Sequence, residues 1–276
     1  MIYELQETEF EIARPIFSDL EQYQLWLQLV FERIKPGRIF VNDKKNPSAG
    51  FCRLGSIFFI FAGSTKDTSF NNELKKTIEN DIFPSYNLDY KYFMIFYDPE
   101  WFDELHRIFN DLTSGEGVYF TVNRNERKEW DGALPSSFTI ERVDKEFIDS
   151  KAYTIPQEIR IERWLSGMWG SIENFNKRSF AFAVVHKKQS VVSFCHCSYL
   201  SKDKSRAEIG IHTQADFRRK GLGKNLVFHM LNQCWEVGIQ TIGWHTTHDN
   251  IPSIKLAESV GYKFNRTYPI LFGNWP

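Results

Sequence analysis

The stretch Arg218 to Lys224, RRKGLGK, limits what this chain can fold into more than any other. A β-rich apolar run, Ala207 to Thr213, comes before it, and an amphipathic run, Leu222 to Trp235, follows. Strand, glycine turn and helix start together build an anion site. Glycine takes φ > 0 and lets a ligand approach the backbone closely. The unpaired N–H groups and the dipole of a helix N-terminus favour phosphate. Gly221 and Gly223 are placed for the first role, and Arg218, Arg219, Lys220 and Lys224 add fixed positive charge. A basic turn with two glycines is common on protein surfaces, so its meaning rests on its neighbours.

Those neighbours carry a resemblance. Arg218-x-x-Gly221-x-Gly223 has the R/Q-x-x-G-x-G/A form with which GNAT N-acetyltransferases hold the pyrophosphate of acetyl-CoA. Glu208-Ile-Gly-Ile-His-Thr213 is similar to the fourth strand of that fold. Trp244, with Asn250-x-x-Ser253-x-x-Leu256-Ala-Glu-Ser-Val-Gly261-Tyr262, resembles its fifth strand and the helix after it. The combination is closer to a bacterial subgroup that includes zwittermicin-resistance-type acetyltransferases, and it covers about the last half of the chain. The resemblance implies an α/β (α+β) fold, a mixed, mostly antiparallel sheet flanked by helices. It also implies acetyl-CoA or CoA as cofactor and direct acetyl transfer to the amine of a small molecule, such as an antibiotic or amino-sugar-like compound.

Site roles follow from the same resemblance. Ile211, His212 and Thr213 match the strand whose backbone pairs with pantetheine, and an amide near Ile211 would polarise the thioester carbonyl. Arg218, Arg219, Lys220, Gly221, Leu222, Gly223 and Lys224 would grip the pyrophosphate. Asn250 and Ser253 match positions that contact the cofactor. Glu208 is the first candidate for the general base, since a partly buried carboxylate can titrate near neutrality. A strand carboxylate paired with Arg206 or a lysine is the other reading. His212 is a second candidate, although its side chain points away from that of Ile211. His245 and His248 either shape the acceptor site or lie on the surface. Many GNAT enzymes protonate the CoA sulfur with a tyrosine where this chain has Ala257. That departure leaves Ser253 or a water for the step, and it keeps open a rival class, a CoA-binding regulatory or interaction protein. A P-loop or dinucleotide fold is disfavoured, because the turn lacks the glycine-rich six-residue spacing followed by Lys-Ser/Thr and no acidic residue follows a second parallel strand.

A chain of 276 residues suits one large domain or two small ones. Its 25 phenylalanines predict an aromatic core. A formal net charge of -1 gives no support to a nucleic-acid or anionic-membrane surface. The longest apolar stretch, Ile57 to Ala62, is far short of the ~20 residues that span a bilayer. The acidic N-terminus has no signal-peptide pattern, so a cytoplasmic location is the expectation. On a strand, Cys195 and Cys197 share one face and His196 the other, which reads as buried thiols in preference to a metal site.

The first half, 1–130, reads as a smaller α/β domain. Glu7 to Val30 has helical spacing, Arg38 to Asn42 and Phe51 to Ala62 read as strands, and Asn71 to Phe83 as a helix. Tyr92 to Tyr97 reads as a strand, with Asp98 as N-cap and Pro99 opening a helix. This order is either a degenerate GNAT-like half without a phosphate turn or an unrelated α/β domain. Its open roles are packing, a homodimer contact or one wall of the acceptor site. The polar stretch Asn123 to Pro135 is the linker candidate, leaving 136–276 as the acetyltransferase domain. There, Trp164 and Trp169 either wall the acceptor site or pack in the core.

Overall fold

The computed structural model describes residues 1–55, 57–84, 92–126, 128–130 and 132–274. They form two compact units, Met1–Gly117 with Thr267–Pro276, and Val118–Arg266. In the first unit, β1 (Tyr3–Glu4) precedes α1 (Phe10–Ala13), α2 (Ser18–Glu21) and α3 (Leu25–Phe31). The helical spacing from Glu7 to Val30 is thus realised in pieces, because Pro15 has no N–H to donate and Arg14–Phe17 tightens to a 3-10 turn. Then come β2 (Gly37–Val41), β3 (Ala49–Leu54), β4 (Phe58–Gly63), α4 (Thr68–Thr77), β5 (Tyr92–Tyr97) and α5 (Phe102–Ile108). Phe51 to Ala62, expected as one strand, is two: Gly55 turns at φ +57°, and β3 pairs antiparallel with β4. The phenylalanines do make the core. Phe51 and Phe61 stack at 4.7 Å, and Phe59, Phe70 and Phe93 are fully buried with them. Each such ring contributes about 1.5–3 kcal/mol on burial.

Residues 118–123 of β6 (Thr113–Asn123) open the second unit. β7 (Phe138–Val143), α6 (Lys145–Asp149), α7 (Ile161–Trp169), α8 (Ile172–Arg178), β8 (Ala181–His186) and β9 (Ser190–Leu200) follow. β10 (Arg206–Thr213), α9 (Leu222–Glu236), β11 (Thr241–Thr247), α10 (Ile251–Ser259) and β12 (Lys263–Asn274) complete the chain. β7 to β10 are antiparallel neighbours, and only β11 runs parallel to β10 among these pairs. Gly170, at φ +78°, ends α7, and Gly238, at φ +96°, ends α9. Cys195 and Cys197 are buried in the core beneath α9, together with Leu226, Met230 and Cys234.

One order is written twice: β2-β3-β4-α4-β5-α5, then β8-β9-β10-α9-β11-α10. Each unit is completed by a strand from the other half of the sequence. β12 pairs antiparallel with β5, Leu271 opposite Ile95, and β6 lies beside β11. The units therefore part at Gly117/Val118 and not within Asn123 to Pro135, two positions of which, 127 and 131, lie outside the described residues. Among the described residues, no helix is long and apolar enough to cross a membrane.

Candidate functional site

β10 and β11 are joined for only three residue pairs, Arg206↔Thr241, Ala207↔Ile242 and Glu208↔Gly243. There the ladder stops. A bulge falls between Glu208 and Ile209, and from Ile209 to Thr213 the strand pairs with β9 on its other edge. The extra residue is Ser198 of β9, between Tyr199 opposite Glu208 and Cys197 opposite Ile209, and a bulge raises the local twist of the pair. Beyond Glu208, β10 keeps an edge of backbone groups that β11 does not use. Ile211 and Thr213 lie on this stretch. Ile209 and Ile211 pack with the core that α9 covers, which puts Glu208, Gly210 and His212 on the opposite face.

The stretch after β10 is the expected turn. Arg218 donates from Nε to the Thr213 carbonyl at 3.0 Å. Arg219 and Gly221 are both left-handed, at φ +59° and +76°, a backbone that forms anion-binding hollows. Gly221 is the N-cap of α9 and offers no side-chain cap. The first helical bond runs from the Asn225 amide to the Gly221 carbonyl (3.0 Å), so the amides of Leu222, Gly223 and Lys224 lie ahead of it. Leu222 itself is buried, which leaves only its amide for a ligand. A Cβ on Gly223 would make ordinary contacts, with Thr213 Oγ1 at 3.4 Å, Leu256 at 3.6 Å and Ile211 at 3.7 Å, so this position faces the end of β10 and α10. Lys220 and Lys224 rest over aromatic rings, Phe217 at 4.8 Å and Trp130 at 4.0 Å. An uncapped helix start ringed by exposed cations fits a pyrophosphate.

On the face away from α9, Glu208 is buried and accepts a hydrogen bond from His245 Nε2 at 2.9 Å. A histidine 37 residues on is thus a partner of this carboxylate, beside the Arg206 or lysine that the sequence suggests. The His245 side chain is 17% exposed against 4% for Glu208. Tyr119 stacks on the imidazole at 4.4 Å, and its phenol is pushed up to about 12 by burial and by the Glu208 charge. Gly243 makes room for this trio: a Cβ there would lie 2.9 Å from Tyr119 and 3.1 Å from Glu208. His212, half-buried, is held below the ordinary imidazole range by burial and by Arg218. His248 is exposed.

Asn250 caps α10, its Oδ1 accepting from the Ser253 amide at 3.3 Å. Ser253 Oγ accepts from the Trp244 indole at 3.0 Å. Ala257 is fully buried in the core. Trp169 is buried against Phe175, whereas Trp164 is 43% exposed and lies over His196 at 5.7 Å. Sequence reasoning missed His196 as anything but the neighbour of two thiols. It sits across from Gly210, whose missing Cβ would come 2.8 Å from Nε2, and Ser198 Oγ is 3.2 Å from Nδ1. Burial pushes this imidazole down to about 4.

That shift has a sign. As pH falls below about 6.5 the unfolded chain takes up the proton first, so the stability due to neutral His196 is whole above that pH and is lost on the way to 4. The loss amounts to about 3 kcal/mol. Urea unfolding at pH 7.5 and 4.5 is expected to show it in the wild type and not in His196→Leu. An equal pH dependence in the two proteins would remove His196 from the account.

The first unit has the same elements without the same openings. β4 and β5 stay paired from Phe58↔Met94 to Phe61↔Tyr97, and Asp98 Oδ2 then accepts from the Gly63 amide at 2.7 Å, tying the strand ends together. Asp98, expected to cap the following helix through its side chain, makes no such cap bond. At the start of α4, Asp67 accepts from the Phe70 amide at 2.9 Å. A carboxylate thus occupies the place where α9 has a bare glycine.

Comparison with known proteins agrees with this geometry. The family model described as GNAT acetyltransferase matches residues 14–271. An uncharacterised N-acetyltransferase, YdfB of Bacillus subtilis (strain 168), is 24% identical over 275 residues, covering 99% of this chain and 98% of that protein. A GCN5-related N-acetyltransferase-like protein from Streptococcus suis superposes with a TM-score of 0.71 at 22% identity, over 98% of this chain and 99% of that one. A tandem GNAT protein from the clavulanic acid biosynthesis pathway matches with a TM-score of 0.62 at 10% identity, over 100% and 98% of the two chains. GNAT enzymes use acetyl-CoA to acetylate amines. With a family match across nearly its whole length and two halves of the same topology, the chain belongs to the GNAT acetyltransferase family.

Proposed function

We propose that this enzyme transfers the acetyl group of acetyl-CoA directly to the amine of a small molecule, at the opening between β10 and β11. The observation that carries the reading is the parting of those strands after Glu208, next to a helix start that is basic and uncapped. Acetyl-CoA supplies the activated thioester. The amides from Gly221 to Lys224, with Arg218, Arg219 and Lys220, hold its pyrophosphate. The unused edge of β10 at Ile211 and Thr213 pairs with the pantetheine arm, and an amide there stabilises the developing oxyanion. Glu208 and His245 together take the proton that the acceptor ammonium must lose before its nitrogen can attack. The Ser253 hydroxyl, oriented by Trp244, donates a hydrogen bond to the departing sulfur in place of the phenol that Ala257 lacks. Serine is too weak an acid to give up its proton outright, but a thiolate, with a free thiol pKa of about 8.5, leaves without full protonation.

The first unit is, in this reading, a GNAT-like half that no longer takes CoA, because Asp67 and Asp98 fill the sites that α9 and β11 leave open. The test is CoA release by the full chain across a panel of amino sugars, aminated antibiotics, amino acids and polyamines. At least one amine is expected to raise release well above thioester hydrolysis. A flat panel overturns the small-amine assignment.

A further inference from the structure

Trp130, from the stretch read as a linker, lies on the outer flank of α9. Its indole stacks on Phe228 with centroids 5.3 Å apart and planes 1° from parallel. Its Nε1 donates to Asn225 Oδ1 at 2.9 Å, and Asn225 donates in turn from Nδ2 to the Gly221 carbonyl at 3.1 Å. The ring is therefore tied, through one side chain, to the residue that sets the phosphate turn. It is nonetheless 38% exposed, and the cation over it is Lys224, at 4.0 Å from the centroid.

The helix gives the direction. Gly223 faces β10 and α10, since its Cβ would meet Thr213, Ile211 and Leu256. At 3.6 residues per turn, Asn225 lies roughly 200° further round, so Trp130 stands on the flank turned away from the opening between β10 and β11. In CoA the pyrophosphate separates the thioester arm from the adenosine. With the arm in the opening and the pyrophosphate on the turn, the adenosine emerges on the side of Trp130.

We propose that the indole of Trp130 is the stacking platform for the adenine ring of CoA, and that Lys224 exchanges its place over the indole for a phosphate of the same ligand. The inference rests on the CoA reading above. It gives Trp130 two functions: in the free protein it parks Lys224 beside the phosphate turn, and in the complex it holds the base. Phe228 backs the ring, so little ordering is left to be done on binding. Stacking of a base on an aromatic side chain tolerates any base but requires one.

Calorimetric titration of the full chain with CoA and with 4′-phosphopantetheine, which has no adenine, separates the outcomes. Trp130→Ala is expected to weaken CoA about ten-fold, on the scale of a base–aromatic stack, and to leave 4′-phosphopantetheine unchanged. Trp130→Phe keeps a ring and should retain most of the CoA affinity. Because the alanine variant also uncovers Phe228, fluorescence of the phenylalanine variant gives an independent readout. Added 3′,5′-ADP is expected to quench the wild type more than Trp130→Phe. Equal losses for CoA and 4′-phosphopantetheine would make the indole a strap on α9 and overturn the proposal, as would an unchanged CoA affinity. If wild-type protein binds no CoA, the phosphate-turn reading fails and this one with it.

Discussion

Replacing Gly221 with valine is expected to weaken CoA binding by on the order of 100-fold while the protein stays folded. The reason is conformational. Gly221 sits at φ +76°, where a β-branched residue is strained by about 1–3 kcal/mol, although nothing but Asn225 Nδ2, at 3.7 Å, would touch its Cβ. The turn relieves the strain by rotating, and the amides that follow lose their common direction. Each charge-assisted hydrogen bond lost costs roughly 1.5–3 kcal/mol, so two suffice for the stated effect. Asparagine tolerates the left-handed region better than other non-glycine residues. Gly221→Asn should therefore retain more affinity than Gly221→Ala, and alanine more than valine. Unaltered CoA affinity in the valine variant would sink the pyrophosphate assignment, and the order of the series separates backbone geometry from bulk.

The second large effect is on turnover. Glu208→Gln preserves the shape of a buried side chain and removes the charge that faces His245 at 2.9 Å. General-base catalysis is worth about 10²–10⁴ in rate, and a loss of about 10²-fold or more in kcat is expected, with CoA affinity nearly unchanged. If the two residues act as one acceptor, His245→Gln loses a similar amount and the double variant little more, because members of a unit are not additive. Losses that simply add would separate the pair. A pH–rate profile that is the same in Glu208→Gln as in the wild type would show that the carboxylate is not the base.

The parts of this site that could be read from the sequence are those carried by short spacing. The turn, the strand before it and the apolar stripe of α9 all fall within about thirty residues, and a glycine at 221 or an alternation from Ala207 to Thr213 declares its own conformation. What could not be read depends on partners far along the chain. Glu208 and His245 are 37 residues apart and Trp130 and Asn225 are 95 apart, and no local pattern fixes either meeting. The division of Phe51 to Ala62 is hidden for another reason: both strands are largely buried on both faces, so no alternation marks where one ends, and only Gly55 with Ser56 after it signals the turn. Asp98 was read as a local cap because of the proline after it, yet its carboxylate serves Gly63, 35 residues away. His196 was legible as the outward residue between two buried thiols, but its burial depends on Trp164 and on the absence of a side chain at Gly210.

The exchange of closing strands has a consequence for synthesis. Because β5 finds its antiparallel partner in residues 270–274, the first half of the chain leaves the ribosome with an open sheet edge. It must wait in that state while more than a hundred residues of the second half are made. Domains ordinarily fold as units, N-terminal first, during translation. Here the earlier unit finishes last, and an unpaired edge is the feature that invites pairing with another chain. A half that no longer took CoA, as proposed for the first, would ordinarily be free to erode. This one receives the end of its sister and gives a strand in return, so neither can be removed without unravelling both.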